Sequence, residues 1–333
     1  MLAFAASALL TGVIRRVAAR RGVLDVPNAR SSHQHPTPRG GGLAIVLVAT
    51  LALVILTVRR FLPSNLSLAL LGGGLAVAAV GYVDDHCPLR PLTRLTVHFA
   101  AALWALACLG GLPLLMVGDH VISLGWAGYL MGAVGIVWVL NLFNFMDGID
   151  GIAASEAIFV LLGGALLSGG MGGGAGVASA AVVVAGACTG FLAWNWPPAK
   201  IFMGDVGSGY LGYVIAILGL TAARDKPAAI WVWLLLGSVF FVDATVTLTR
   251  RLIRAERVSE AHRSHAYQWL ARRWGSHRRV TITLAAINLL LLLPLGLLAA
   301  SHPAVAFWVV LCVLVAGTLV ALAAGSGRRE LLR

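Results

Sequence analysis

Apolar positions run along this chain in long blocks, separated by short polar loops rich in Gly, Pro and Asp. A helix needs roughly 20 apolar residues to cross a bilayer, within a range of about 17–25. On that criterion the blocks predict about eleven spans, at 1–18, 41–58, 66–83, 95–117, 126–144, 152–168, 175–194, 208–223, 228–249, 280–299 and 303–324. In lipid only helices and closed barrels satisfy their own backbone, and these blocks lack the two-residue alternation of barrel strands. The expectation is an all-α, polytopic membrane protein in which residues 1–333 form a single transmembrane domain. In the first block Arg15 and Arg16 follow the apolar stretch instead of preceding it, which reads as a signal anchor and not as a cleaved signal peptide.

Composition supports this reading. Only 11% of the residues are charged and 59% are hydrophobic, against roughly 25% charged in a soluble domain. The net charge of +12 comes with no nucleic-acid motif or array of stacking aromatics, so no nucleic-acid partner is expected. The basic residues instead sort by loop. Alternate loops and the tail hold 21 of the 25, and the intervening loops hold Arg59, Arg60, Arg224 and Lys226. By the positive-inside rule this places the N-terminus outside (periplasmic) and the C-terminus in the cytoplasm. The longest basic stretch, 250–279, reads as a cytoplasmic loop carrying an amphipathic helix laid on membrane lipid. Cys87, Cys108, Cys188 and Cys312 are scattered without metal spacing and read as packing residues.

The chain has only thirteen acidic residues, so their placement is informative. Asp84 and Asp85 follow the third span, Asp147 and Asp150 the fifth, and Asp205 lies between the seventh and eighth. All three loops are on the arginine-rich side, so five carboxylates converge on one face at the mouths of packed helices. Oxygen ligands of this kind suit Mg²⁺, which binds through one or two carboxylates plus substrate phosphates, and suit phosphoryl transfer, where catalysis is mostly positioning and charge neutralisation. Gly207-Ser208-Gly209 opens the eighth span, where free N–H groups suit an anion. Asn141 and Asn144, at helical spacing before the Asp pair, suit a sugar, a uracil or a ligand carboxylate, or equally the joining of two helices. On the basic side, loop 28–42 carries His33, His35 and Arg39, the 195–207 loop carries Lys200, and HRSHAYQ at 262–268 carries His262, Arg263 and His265. An Arg fork there suits a diphosphate. Asp243 falls inside the ninth span, where a carboxylate either supports the site or pairs with an arginine.

With Asp84-Asp85, NLFNFMDGIDG at 141–151, IFMGDVGSG at 201–209, RSSHQHPTPRGGG at 30–42 and HRSHAYQ in this order, the chain resembles the polyprenyl-phosphate N-acetylhexosamine-1-phosphate transferases, glycosyltransferase family 4. The resemblance runs from about residue 20 to 280. It implies an enzyme of the bacterial inner membrane with a cytoplasmic active site. That enzyme takes a UDP-N-acetylhexosamine and undecaprenyl phosphate, and yields the lipid-linked diphosphate sugar and UMP with Mg²⁺, or Mn²⁺ in its place. It further implies Asp205 and Asp150 as metal ligands and Asp84, Asp85, Asp147, Asp150 and His265 as catalytic residues. Substrate binding falls to Asn141, Asn144, Arg39, His33, His262, Arg263 and Lys200. A homodimer is common in such proteins. Tyr267-Gln268 stand where the muramoyl-pentapeptide branch has a run of histidines, so the chain resembles more the branch that initiates O-antigen or other surface polysaccharides. The rival class is a multi-span transporter of an anionic substrate, whose charges would lie at the midplane instead of at one face.

Overall fold

A computed structural model describes residues 1–27, 35–170, 174–256 and 262–328. The apolar blocks form helices α1 (Leu2–Arg21), α2 (Gly42–Val58), α3 (Ser64–His86), α4 (Pro91–Leu109), α5 (Ala127–Phe145), α6 (Ile152–Gly170), α7 (Ala175–Asn195) and α8 (Asp205–Asp225). They continue with α9 (Ala229–Leu236), α10 (Ser238–Ile253), the short α11 (Ala266–Trp274), α12 (His277–Ser301) and α13 (Pro303–Ala324). Among the described residues nine helices are long and apolar enough to cross a membrane, and α9 with α10, bent by 71°, form a tenth broken span. The remaining block, α2, is apolar but shorter at 17 residues. Each of the expected spans therefore has a helix, and the fold is all-α and polytopic. Two antiparallel pairs, β1 (Leu24–Asp25) with β2 (Thr37–Pro38) and β3 (Leu115–Val117) with β4 (His120–Ile122), are the strands of the described residues.

Helix ends follow local chemistry. Gly22, Gly110 and Gly325 close α1, α4 and α13 in the left-handed region, where a residue without Cβ is unstrained. Pro91 and Pro303 sit in the first turns of α4 and α13, where no backbone donor is lost. The chain is also sorted opposite to a soluble protein. The strongly apolar α12 and α13 are buried along only 22% and 17% of their most apolar stretch, whereas α8 is buried along 89%. A helix that is apolar all round and unburied has its partner in hydrocarbon, so α12 and α13 face lipid and α8 is the central pillar. The pillar packs on α3 and α5 and reaches the site through its first turn. There a Cβ on Gly81 of α3 would meet the Asp205 backbone at 2.5 Å, so only glycine lets α3 approach the start of α8.

Candidate active site

The site is assembled on the first turn of α8. Gly204 precedes it at φ +78°, a conformation that favours glycine, and a Cβ there would strike the Asp85 carboxylate. With that space open, Asp85 accepts the backbone N–H groups of Asp205 at 2.9 Å and Val206 at 3.1 Å. A carboxylate from α3 thus caps the free donors of α8 from outside the helix. Arg39 donates to Asp85 at 2.7 Å and to Asp205 at 3.2 Å. Arg94, on the first turn of α4, donates to Asp84 at 2.5 Å and to Asp205 at 3.2 Å. Asp84 also accepts the Leu89 N–H at 2.6 Å, which closes the α3–α4 turn.

These distances separate the carboxylates by role. Asp85 has 2% of its side chain exposed and its oxygens carry the helix cap and a short ion pair; Asp205 is 24% exposed and meets both arginines at the longer 3.2 Å. Asp205 is therefore the accessible carboxylate, and Asp84 and Asp85 hold the two guanidinium groups that flank it. Around Arg39, burial acts against its charge, but Asp85 and Asp205 outweigh it and raise the pKa above its ordinary value. Asp147, in the 146–151 loop, is pushed well above the usual carboxylate range by burial and then by the neighbouring Asp205 charge. Negative charge is crowded at this end of the bundle, and that crowding is what a divalent cation would relieve. Among the described residues no group of three or more His, Cys, Asp or Glu is placed to hold a metal ion by itself. An open carboxylate site of this kind fits Mg²⁺, whose remaining ligands are substrate phosphates and water.

The other expected residues that the structure describes lie in four places. Asn144 donates to Ser208 Oγ at 2.8 Å on the first turn of α8, and Asn141 donates to the Val137 carbonyl of its own helix. Both line, with Arg94, His98 and Asp205, a cavity of about 500 Å³ among α3, α4, α5 and α8. Its other walls are apolar, and Leu92, Leu95, Val134 and Trp138 on its rim are exposed, so the groove opens toward the bilayer. Asp150 points elsewhere: one oxygen accepts the Ala199 N–H at 3.0 Å, the other lies 3.2 Å from His277 Nδ1, and its carbonyl accepts from Thr281. Asp150 thereby ties the loop before α8 to the start of α12. Lys200 lies with its ammonium 5.6 Å from the Trp194 ring centroid, and Arg15 lies 5.2 Å from the same ring; among the described residues Lys200 pairs with no carboxylate. His33 lies outside the described residues.

HRSHAYQ is held by Asp243. This carboxylate accepts the N–H groups of Ala266 at 2.8 Å and Tyr267 at 3.1 Å and the hydroxyl of Ser326 at 2.7 Å. The alternatives for Asp243 thus resolve to a cap on α11. His265 is buried, its ring stacked between His262 at 5.0 Å and Tyr267 at 5.7 Å, with Nδ1 3.8 Å from Asp243. Arg263 offers its carbonyl to Arg272 at 3.0 Å. The motif reaches the site through Tyr267, whose hydroxyl donates to the Phe145 carbonyl at 3.1 Å, next to the Asp147 loop. In the sequence Arg94 is one of the 21 basic residues of the arginine-rich loops and tail and is not otherwise set apart. The available signal was its place in the first helical turn beyond the short Pro-containing loop that follows Asp84-Asp85, which aims it back at that pair.

Residues 67–223, which hold the Asp84-Asp85 pair, the Asp147 loop and the first turn of α8, match glycosyl transferase family 4, and the chain belongs to this family of polyprenyl-phosphate hexosamine-1-phosphate transferases. It is 32% identical to the decaprenyl-phosphate N-acetylglucosaminephosphotransferase of Mycobacterium tuberculosis, over 82% of this chain and 74% of that protein. It is 29% identical to the probable undecaprenyl-phosphate N-acetylglucosaminyl 1-phosphate transferase of Bacillus subtilis, over 84% and 78%. It is also 34% identical to the phospho-N-acetylmuramoyl-pentapeptide-transferase of Moorella thermoacetica, over 62% and 66%.

Proposed function

We propose that this protein transfers N-acetylhexosamine-1-phosphate from a UDP-sugar to a polyprenyl phosphate such as undecaprenyl phosphate, releasing UMP. The observation that carries the proposal is a bilayer-open apolar groove of about 500 Å³ ending at Asp205 and Arg94. A polyprenyl chain suits such walls, and its phosphate then lies where Arg94 and Arg39 converge. N-acetylglucosamine is the favoured sugar, since the Mycobacterium and Bacillus relatives both carry it in their names. Initiation of a surface polysaccharide such as O-antigen is the role we assign, on the inner membrane with the arginine-rich face toward the cytoplasm.

In this reading an oxygen of the lipid phosphate attacks the sugar-bearing phosphorus of the donor in line. The new P–O bond forms as the bond to UMP breaks, and UMP departs as a phosphate monoester dianion with no covalent enzyme intermediate. A phosphate monoester is largely ionised near pH 7, so no strong base is needed. Arg39 and Arg94 hold anionic oxygens against one another, while Asp84 and Asp85 fix those guanidinium groups. Asp205 and Asp147 are the carboxylates that would hold Mg²⁺, which when bound would neutralise the developing charge. Asn144 and Ser208 position the first turn of α8.

The test is UMP release by purified protein from a panel of UDP-HexNAc donors with undecaprenyl phosphate and Mg²⁺, beside EDTA and Asp205→Asn controls. Release that needs lipid, metal and Asp205 supports the transferase. Absence of release, together with failure to bind either substrate, sinks it in favour of the anion transporter.

A further inference from the structure

A second polar spot lies in the membrane, away from the transferase groove. Glu156, one turn into α6, and Asn288, in α12, are each 2% exposed. Asn288 Nδ2 donates to Glu156 Oε2 at 2.6 Å. Three neighbouring atoms have no partner: Glu156 Oε1, Asn288 Oδ1 and Ser155 Oγ. In helices of this protein a Ser or Thr hydroxyl commonly donates to the carbonyl four residues back, as Thr57, Thr189 and Thr221 do. Ser155 does not, and its hydroxyl is left over. Unmet polar atoms are costly in hydrocarbon, and a cluster of three calls for an occupant.

The space for one is present. All three residues line a cavity of about 330 Å³ between α6 and α12, walled by Ile152, Phe159, Leu284 and Leu293. Leu162, Leu166 and Leu289 form its mouth and are 44%, 64% and 55% exposed, so it opens to the bilayer. On α12 a π-helical turn, Asn288–Leu292, begins at the same asparagine. Pro294 in the next turn has no N–H to give, which accounts for the widened turn. Such π turns recur at binding sites.

The unmet atoms define the ligand. Glu156 Oε1 and Asn288 Oδ1 ask for a donor, and Ser155 Oγ–H asks for an acceptor. A hydroxyl is both at once: it accepts from Ser155, and its one proton goes to Glu156 Oε1 when the acid is ionised or to Asn288 Oδ1 when the acid is protonated and itself donates to the hydroxyl. It is also neutral, so it enters hydrocarbon at far lower cost than an ammonium. We propose that this cavity binds a lipid alcohol, its hydroxyl between Glu156, Asn288 and Ser155 and its hydrocarbon passing out between Leu162 and Leu289. An isoprenoid alcohol and a diacylglycerol both have this chemistry.

Thermal unfolding of the full-length protein in nanodiscs, followed by circular dichroism, tests this with farnesol, 1,2-dioctanoylglycerol and dodecane as probes. The expected result is a saturable rise in midpoint with one or both alcohols and none with dodecane. The alcohol that acts names the isoprenoid or the glycerolipid source. Leu162→Trp and Leu289→Trp close the mouth from lipid-facing positions without touching the polar atoms, and each should abolish the rise while the unliganded midpoint stays put. No rise with either alcohol, an equal rise with dodecane, or a rise that survives both mouth variants would overturn the proposal. The last outcome would place the alcohol in the transferase groove instead.

Discussion

Asp205 and Asp243 are both carboxylates at packed helices, and the structure treats them oppositely. Asp243 is buried, and its two oxygens take two backbone N–H groups and a serine hydroxyl at 2.7–3.1 Å. Nothing is left over for a ligand. Asp205 is 24% exposed, shares two arginines with other carboxylates at 3.2 Å, and lines an open groove. A group whose bonds are all short and internal holds the fold. A group whose bonds are long, shared and at a cavity wall is poised to exchange partners for a substrate. Asp85 stands between the two, since it caps α8 as Asp243 caps α11 but also grips Arg39.

The comparison breaks most sharply at Asp205. Asp205→Asn should lower turnover at least ~10³-fold, about 4 kcal/mol of transition-state stabilisation, while the thermal midpoint changes little. A large fall in midpoint would make Asp205 structural after all. Asp243→Ala should do the reverse in kind. Leaving three donors without their acceptor should cost on the order of 3–4 kcal/mol of stability and speed proteolysis between α10 and α12. Turnover per folded molecule should fall less than in Asp205→Asn. Arg94→Ala removes the bridge between Asp84 and Asp205, with an expected loss of about 10²-fold in kcat/KM for the lipid substrate and less for the UDP-sugar. Equal losses for both would place Arg94 outside the lipid phosphate's reach.

His262 sharpens the comparison on the structural side. Burial, then His265 and Arg251, lowers its pKa from its ordinary value to about 3. The folded state therefore holds the neutral ring, and protonation favours the unfolded chain. Its contribution is fully present above ~6.5 and is lost as pH falls below that value toward 3, by at most about 1.4 kcal/mol per pH unit. The wild-type midpoint should fall further between pH 7 and pH 5 than that of His262→Asn if this holds. Parallel losses would remove the claim. The smallest effect belongs to Asp147→Asn, which relieves crowding against Asp205. With the carboxyl that burial and then the Asp205 charge disfavour removed, the metal-free protein should gain in thermal midpoint at pH 7 and still lose activity.

Much of this was legible in the chain. Apolar runs of membrane length allow one regular structure, because lipid leaves no other way to satisfy the backbone, so the helical spans followed from the sequence. So did the gathering of Asp84, Asp85, Asp147, Asp150 and Asp205 near one face, since alternate loops of a spanning bundle share a side. Sequence could not divide labour among them. Asp147 and Asp150 are three residues apart in one loop, yet Asp150 turns to Ala199 and His277 while Asp147 feels Asp205. Arg94 became visible only when α4 was set against α8, and the cap role of Asp243 only when residues 266–267 folded back onto α10. Nor could the chain show that Glu156 and Asn288, 132 positions apart, would meet inside the bilayer. Hydropathy and charge act over a few residues and are written in the chain; which partner each charge finds is set by packing across elements, and packing exists only in the folded bundle.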